Sequence, residues 1–242
     1  MAVTFAIAVR MVFTAGSISS ATAAESIPWI DSAAAQYSRA GEQYDSVLLR
    51  QTVEYIERQP KEERQAPGAL LVLGLHYWRL ELIAFCISDN SGTSRYGTMA
   101  IDKLTEAEKA GADVYITGSH KALASQLLAS LGMLKGAKYG PRAASELKKA
   151  QKANPQGYFT LLVEAVNANR APSFAGGSPK KAIELFEKMA KTFPDSIDVK
   201  IHLADAYTQV GRTDDARRTI DPVTAAFPYN LLAKKIATNL SK

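Results

Sequence analysis

The stretch from Pro194 to Pro228, PDSIDVKIHLADAYTQVGRTDDARRTIDPVTAAFP, decides the fold. The two prolines stand 34 residues apart, and between them Leu203, Ala204 and Tyr207 lie at helical spacing before Gly211, with Ala216, Ile220 and Val223 after it. Two helices joined by a turn at Gly211 pack antiparallel. Ala204 faces Ala216 where the backbones approach, while Leu203, Tyr207 and Ile220 fill the gap to a neighbouring pair. One such pair cannot bury its apolar face alone, so the reading demands further copies upstream.

Those copies are present. Ala182, Phe186, Met189 and Pro194 reproduce the offsets of Ala216, Ile220, Val223 and Pro228, and Ala143, Leu147, Ala150 and Pro155 do so again. Ala100, Leu104 and Ala107 keep the same spacing, and Leu70, Leu73, Gly74 and Tyr77 fit the first helix of the earliest pair. The spacing predicts first helices over roughly 67–86, 117–134, 156–169 and 196–210, and second helices over roughly 95–110, 141–153, 179–193 and 213–227. This is the pattern of a tetratricopeptide repeat. The expected fold is all-α, a right-handed α-solenoid of about four tetratricopeptide repeats over 67–228 with capping helices. One cap, at roughly 42–58, lies within 25–66. The other, at roughly 230–241, lies within 229–242 and keeps Lys234, Lys235 and Lys242 on its wet side.

Two departures from regularity carry expectations of their own. Tyr77 to Ala100 is a longer interval than Tyr207 to Ala216, and its polar run Ser88-Asp89-Asn90-Ser91-Gly92-Thr93-Ser94 reads as an exposed loop. Pro222 inside the last second helix removes a backbone donor, so it should kink that helix or start it anew.

A composition of 47% hydrophobic and 22% charged residues excludes an intrinsically disordered chain. The apolar runs are too interrupted to cross a bilayer, and no transmembrane segment is expected in the mature chain. Residues 1–24 read as a signal peptide, with Arg10, a short apolar run from Met11 and the small-residue site Ala21-Thr22-Ala23. Cleavage near Ala24 would deliver the protein to the periplasm. A mis-assigned start or an amphipathic first helix is the alternative, with a cytoplasmic protein. Cys86, the single cysteine, has no second cysteine for a disulfide or metal cluster and reads as a small apolar residue ending a helix.

The formal charge of +5 is a mild bias. Lys148, Lys149, Lys152, Lys180, Lys181, Lys188 and Lys191 make two helices basic, but Glu146, Glu184 and Glu187 interleave with them, which reads as a solvated face. Without an aromatic platform no nucleic acid partner is expected. His76, His120 and His202 lie on different helices with no ligand-spaced partner, so no metal and no cofactor are expected. The motifs of hydrolases, zinc proteases and dinucleotide enzymes are missing, which argues against an enzyme. Asp214 and Asp215 complement the dipole of a helix amino terminus. In Gly176-Gly177-Ser178-Pro179-Lys180-Lys181, Ser178 is an N-cap and Pro179 a first helical residue, a reading favoured over a phosphate site.

The runs Met133-Leu134-Lys135-Gly136 through Tyr139-Gly140-Pro141, Ala150 through Asn154-Pro155, and Ala171-Pro172-Ser173-Phe174-Ala175-Gly176-Gly177 with Lys181-Ala182-Ile183 carry a resemblance. Over roughly 67–193 the chain resembles a group of exported bacterial tetratricopeptide proteins. It is similar, more distantly, to the periplasmic tetratricopeptide component that accompanies tripartite (TRAP) solute transporters. No cysteine follows the small-residue site, unlike the lipid-anchored transporter-associated members. The resemblance implies a non-enzymatic envelope protein that binds another protein or peptide, a scaffold or interaction module, or alternatively a small apolar ligand as an accessory of a solute transporter.

In such folds the first helices line a concave groove. Transferring the phase of the last repeat assigns to it Leu71, Leu75, Trp78 and Arg79 from the first repeat, Gln126 and Ser130 from the second, Phe159, Val166, Asn169 and Arg170 from the third, and His202, Asp205 and Gln209 from the fourth. Trp78 beside Arg79 is the most anchor-like pair, although a ring of that size also suits packing under a loop or cap. The lysine and asparagine clamp of chaperone-tail binders is missing, because Leu71, Leu75, Gln126 and Ser130 stand in its places. A closed apolar pocket around Trp78, Phe159 and Val166 would favour a ligand. An open polar trough would favour a peptide.

Overall fold

The structure is a computed structural model that describes residues 27–240. The signal-peptide reading of residues 1–24 and the placing of Lys242 lie outside the described residues. Within them every regular element is helical: α1 (Pro28–Gln43), α2 (Ser46–Glu57), α3 (Lys61–Arg64), α4 (Pro67–Cys86), α5 (Asn90–Lys109), α6 (Val114–Ala129), α7 (Met133–Ala153), α8 (Tyr158–Arg170), a 3-10 turn (Ser173–Ala175), α9 (Pro179–Thr192), α10 (Ile197–Gln209), α11 (Thr213–Ala226) and α12 (Leu231–Asn239). The fold is all-α, as the periodicity demanded. The chain divides into two compact units after Asn154.

In the first unit α4 packs on α5 and α6 on α7, while α5 meets α6 and α4 meets α6. Contacts of each helix with the next, and of alternate helices with each other, are those of stacked pairs. Helix α4 sits at the centre of this unit. From Ala69 to Ala84 every residue except Arg79 is buried, because α1, α2, α5 and α6 all contact it. It is long and apolar enough to cross a membrane, contrary to the reading that no run qualifies, but its apolar stretch is 83% buried inside protein. Small residues set the helix spacing: a Cβ on Gly74 would lie 2.7 Å from Leu104, so α4 and α5 approach only because that position is glycine.

Three sequence expectations change here. The amino-terminal region holds a helix pair, α1 and α2, and the one-turn α3, where a single helix at 42–58 was expected. Tyr44 adopts a left-handed conformation (φ 52) and Asp45 caps α2 by accepting from the amides of Val47 and Leu48. The polar run 88–94 is not a loop. Ser88 turns the chain at φ 62, the Asp89 carboxylate accepts from the Gly92 amide, and α5 starts at Asn90 with Thr93 buried. Helix α7 starts at Met133, two turns before the predicted 141, and runs through Pro141. Cap residues and loop residues share a composition, which is why the polar run concealed the start of α5, whereas Gly136, Gly140 and Pro141 concealed that of α7.

In the second unit α8 pairs with α9 and α10 with α11, and α12 closes against α10 and α11. Ala182, Ala204, Ala206 and Ala216 are fully buried, and Phe186, Ile201 and Ile220 fill the space between helices. Ser178 accepts from the Lys181 amide with Pro179 as first helical residue, as expected, and a Cβ on Gly177 would collide with the Ala171 carbonyl. Helix α11 continues through Pro222 and is not started anew there.

Candidate functional site

Of the thirteen residues assigned to a groove, the structure gathers five into one cluster in the second unit. Asn169 and Arg170 end α8, and His202, Asp205 and Gln209 occupy successive turns of α10. Three donors converge on a single carboxylate oxygen of Asp205: Asn169 Nδ2 at 2.6 Å, an Arg170 guanidinium nitrogen at 2.8 Å and Gln209 Nε2 at 3.3 Å. A carboxylate so surrounded is an acceptor fixed in place by its donors. Asn169 is buried, and its Oδ1 has no partner among the described residues.

His202 lies beside this cluster with its ring stacked on Phe186 at 5.8 Å between centroids. Burial, and then the charge of Arg170, lower its pKa to about 3, so at neutral pH it is an uncharged ring. Arg170 keeps 43% of its side chain exposed and Gln209 is exposed. The cluster therefore offers solvent two donor groups held in place by Asp205. Such an arrangement can hydrogen-bond carbonyls or carboxylates of an extended chain.

The other assigned residues serve elsewhere. Phe159 and Val166 are each 8% exposed and belong to the core of the second unit, with Phe159 edge-on to Tyr158 at 5.2 Å. In the first unit Leu71, Leu75 and Trp78 are buried, where the phase transfer had put them on an open face. Helix α1 and the apolar surroundings of α4 account for this. Trp78 stands edge-on to His120 at 4.9 Å. Arg79 is half-buried, its guanidinium 4.8 Å from the Trp78 ring, 5.7 Å from Tyr37 and 6.0 Å from Tyr44. Two of those rings come from the α1 end of the chain, which the sequence had not shown to be helical from Pro28. Gln126 is half-buried and Ser130 exposed near the end of α6.

Sequence reasoning missed a recurring contact. Tyr77 donates to Glu57 and Tyr207 donates to Glu187, each at 2.8 Å and each across 20 residues. Beside each pair lies an open hollow. One, of about 240 Å³, is lined by Arg50, Val53, Glu54, Tyr77, Leu80 and Arg95 among others. The second, of about 430 Å³, is lined by Lys180, Ile183, Glu184, Glu187, Val210 and Arg212. The equal Glu-to-Tyr spacing was available in the sequence as a repeat signal. Among the described residues no group of three or more His, Cys, Asp or Glu is placed to hold a metal ion.

Comparison with known proteins agrees with this architecture. Residues 173–238, which include α9 to α11, match the model of a tetratricopeptide repeat family. No curated protein matches the sequence. Among solved structures, a thermophilic tetratricopeptide repeat protein of Thermus thermophilus is similar, with a TM-score of 0.61 at 21% identity over 84% of this chain and 97% of that one. That likeness is one of fold. Tetratricopeptide repeats generally mediate protein–protein interaction, and the chain carries such a repeat match over 173–238 within an all-helical fold similar to that of a tetratricopeptide repeat protein.

Proposed function

We propose that the protein is a non-enzymatic interaction module of the bacterial cell envelope that binds an extended peptide segment of another protein through the Asn169, Arg170, Asp205 and Gln209 cluster. The observation that carries the reading is the convergence of three donors on Asp205, which orients Arg170 and Gln209 while leaving both open to solvent. Preorganised donors lose little freedom on binding, and an arginine fork suits carboxylates and backbone carbonyls. The envelope assignment rests on Arg10, the apolar run and Ala21-Thr22-Ala23.

Selection of peptides from a random library on the full chain tests the site. Selected peptides should lose at least about tenfold in affinity with Arg170→Glu and keep it with Lys148→Glu and Lys152→Glu on the outer side of α7. Equal affinity for all three variants would remove the cluster as the site. Fractionation with sequencing of the mature amino terminus tests the location: processing near Ala24 in a periplasmic fraction is expected, and an intact Met1 in the cytoplasm contradicts it.

A further inference from the structure

Helix α7 carries six basic residues, Lys135, Lys138, Arg142, Lys148, Lys149 and Lys152, against one acid, Glu146. In the sequence Glu146 reads as neutralising the outer face. The structure turns it inward, where it is buried and bonded to Lys121 at 2.9 Å. At about 100° per residue Leu134, Lys138, Pro141, Ser145, Lys148, Lys149 and Lys152 fall within an arc of about 100°, opposite the buried Tyr139, Ala143, Glu146 and Ala150. All of the outer set are exposed. At the amino end of this strip Met133 and Leu134 are 90% and 88% exposed.

We propose that the outer face of α7 is a docking surface for a bilayer rich in anionic phospholipid. Charge complementarity selects the occupant: Lys138, Lys148 and Lys152 make no ion pair among the described residues, while Lys149, at the edge of the strip, is bonded to Glu146 at 3.2 Å. The α5 acid nearest to it, Glu108, is bonded to Lys121 and to Lys149 at 3.5 Å. Two large apolar side chains at the tip add what a purely electrostatic contact lacks, a group that can enter the interface while the lysines stay with the headgroups. A nucleic acid would use the same charges but gives Met133 and Leu134 nothing to bury in, and the strip has no stacking platform.

The test is flotation of the full chain with vesicles of phosphatidylcholine, with and without phosphatidylglycerol. Binding is expected only with phosphatidylglycerol and should fall as salt rises. Combined Lys138→Glu, Lys148→Glu and Lys152→Glu should lower the partition coefficient at least about a hundredfold, since each lysine near an anionic surface is worth about fivefold. Combined Met133→Ser and Leu134→Ser should lower it about tenfold with the melting temperature unchanged. Arg58→Glu, an exposed charge reversal on the α2 end, should change it little. Any of three results overturns the proposal: equal binding to neutral vesicles, no effect of the lysine reversals, or binding to a DNA duplex but not to vesicles.

Discussion

In the unit Pro155–Lys242 the helix contacts close over alanines, with Ala182, Ala204, Ala206 and Ala216 fully buried, whereas in Met1–Asn154 comparable depth holds Glu81, His76, His120 and Lys121. Lys121 is held between Glu108 and Glu146, and Lys149 bonds both acids, so four charges alternate around a nearly closed ring. Glu81 differs. Neither of its oxygens has a partner among the described residues, and burial raises its pKa well above the ordinary carboxylate value. The difference teaches that one backbone plan tolerates two interiors. Small side chains let helices meet in both units, with Ala100, Ala107, Ala122 and Ala150 as fully buried in the first as Ala216 is in the second, and only the first adds buried ionisable side chains such as Lys121 and Glu81.

Breaking each interior separately should show this, with the alanine contact giving the largest effect. Ala216→Glu should destabilise the second unit by about 4 kcal/mol or more, because a carboxylate would be buried unpartnered where helices touch. Urea unfolding that registers less than about 1 kcal/mol would put Ala216 at the surface. In the first unit, Lys121→Met should cost about 3 kcal/mol by leaving Glu108 and Glu146 facing one another with only Lys149 between. Adding Glu146→Leu should recover much of that loss, and a double variant no more stable than the single would remove the ring from the account.

The pH response separates the units further. The native pKa of His76 and of His120 is lowered by burial to about 4, and that of His202 to about 3, from an ordinary 6.5. The unfolded chain binds protons that these native rings refuse, so stability in both units is lost as pH falls from 6.5 towards 4. Glu81 acts in the opposite sense and only in the first unit: its proton is held by the native state and released on unfolding, so stability declines as pH rises above 4.5. Hydrogen exchange of each unit should show Glu81→Gln flattening that decline in the first unit and leaving the second unchanged. A smaller comparison closes the series: Tyr77→Phe and Tyr207→Phe should each cost about 1 kcal/mol, since the two bonds to Glu57 and Glu187 share one geometry.

Legibility in the sequence followed the same division. The second unit could be read residue by residue, because its buried positions are alanines and branched or aromatic side chains at fixed offsets, and its helix starts at Ser178 and Ser196 carry plain caps. The first unit hid its helix starts. Asp89 and its polar neighbours look like a loop until the Gly92 amide is seen to be capped, and Gly136, Gly140 and Pro141 argue against the helix that α7 forms. For the site, the phase transfer chose Asn169, Arg170, His202, Asp205 and Gln209, which lie together, and also Phe159 and Val166, which are buried in the core of the same unit. It failed on α4, which is apolar on every side, so that phase alone could not say that Leu71, Leu75 and Trp78 are enclosed. Recognising α1 as a helix would have required reading Tyr37 and Tyr44 as partners of Arg79, and no spacing rule links them.

The most direct test of the interaction account is photo-crosslinking in cells with a reactive residue placed at Gln209 in the cluster or at Lys188 on the exposed side of α9, in an otherwise native chain and in Arg170→Glu. The account predicts one defined protein adduct from position 209 that disappears with Arg170→Glu and is not formed from position 188. Adducts formed equally from both positions, or unaffected by Arg170→Glu, would contradict it.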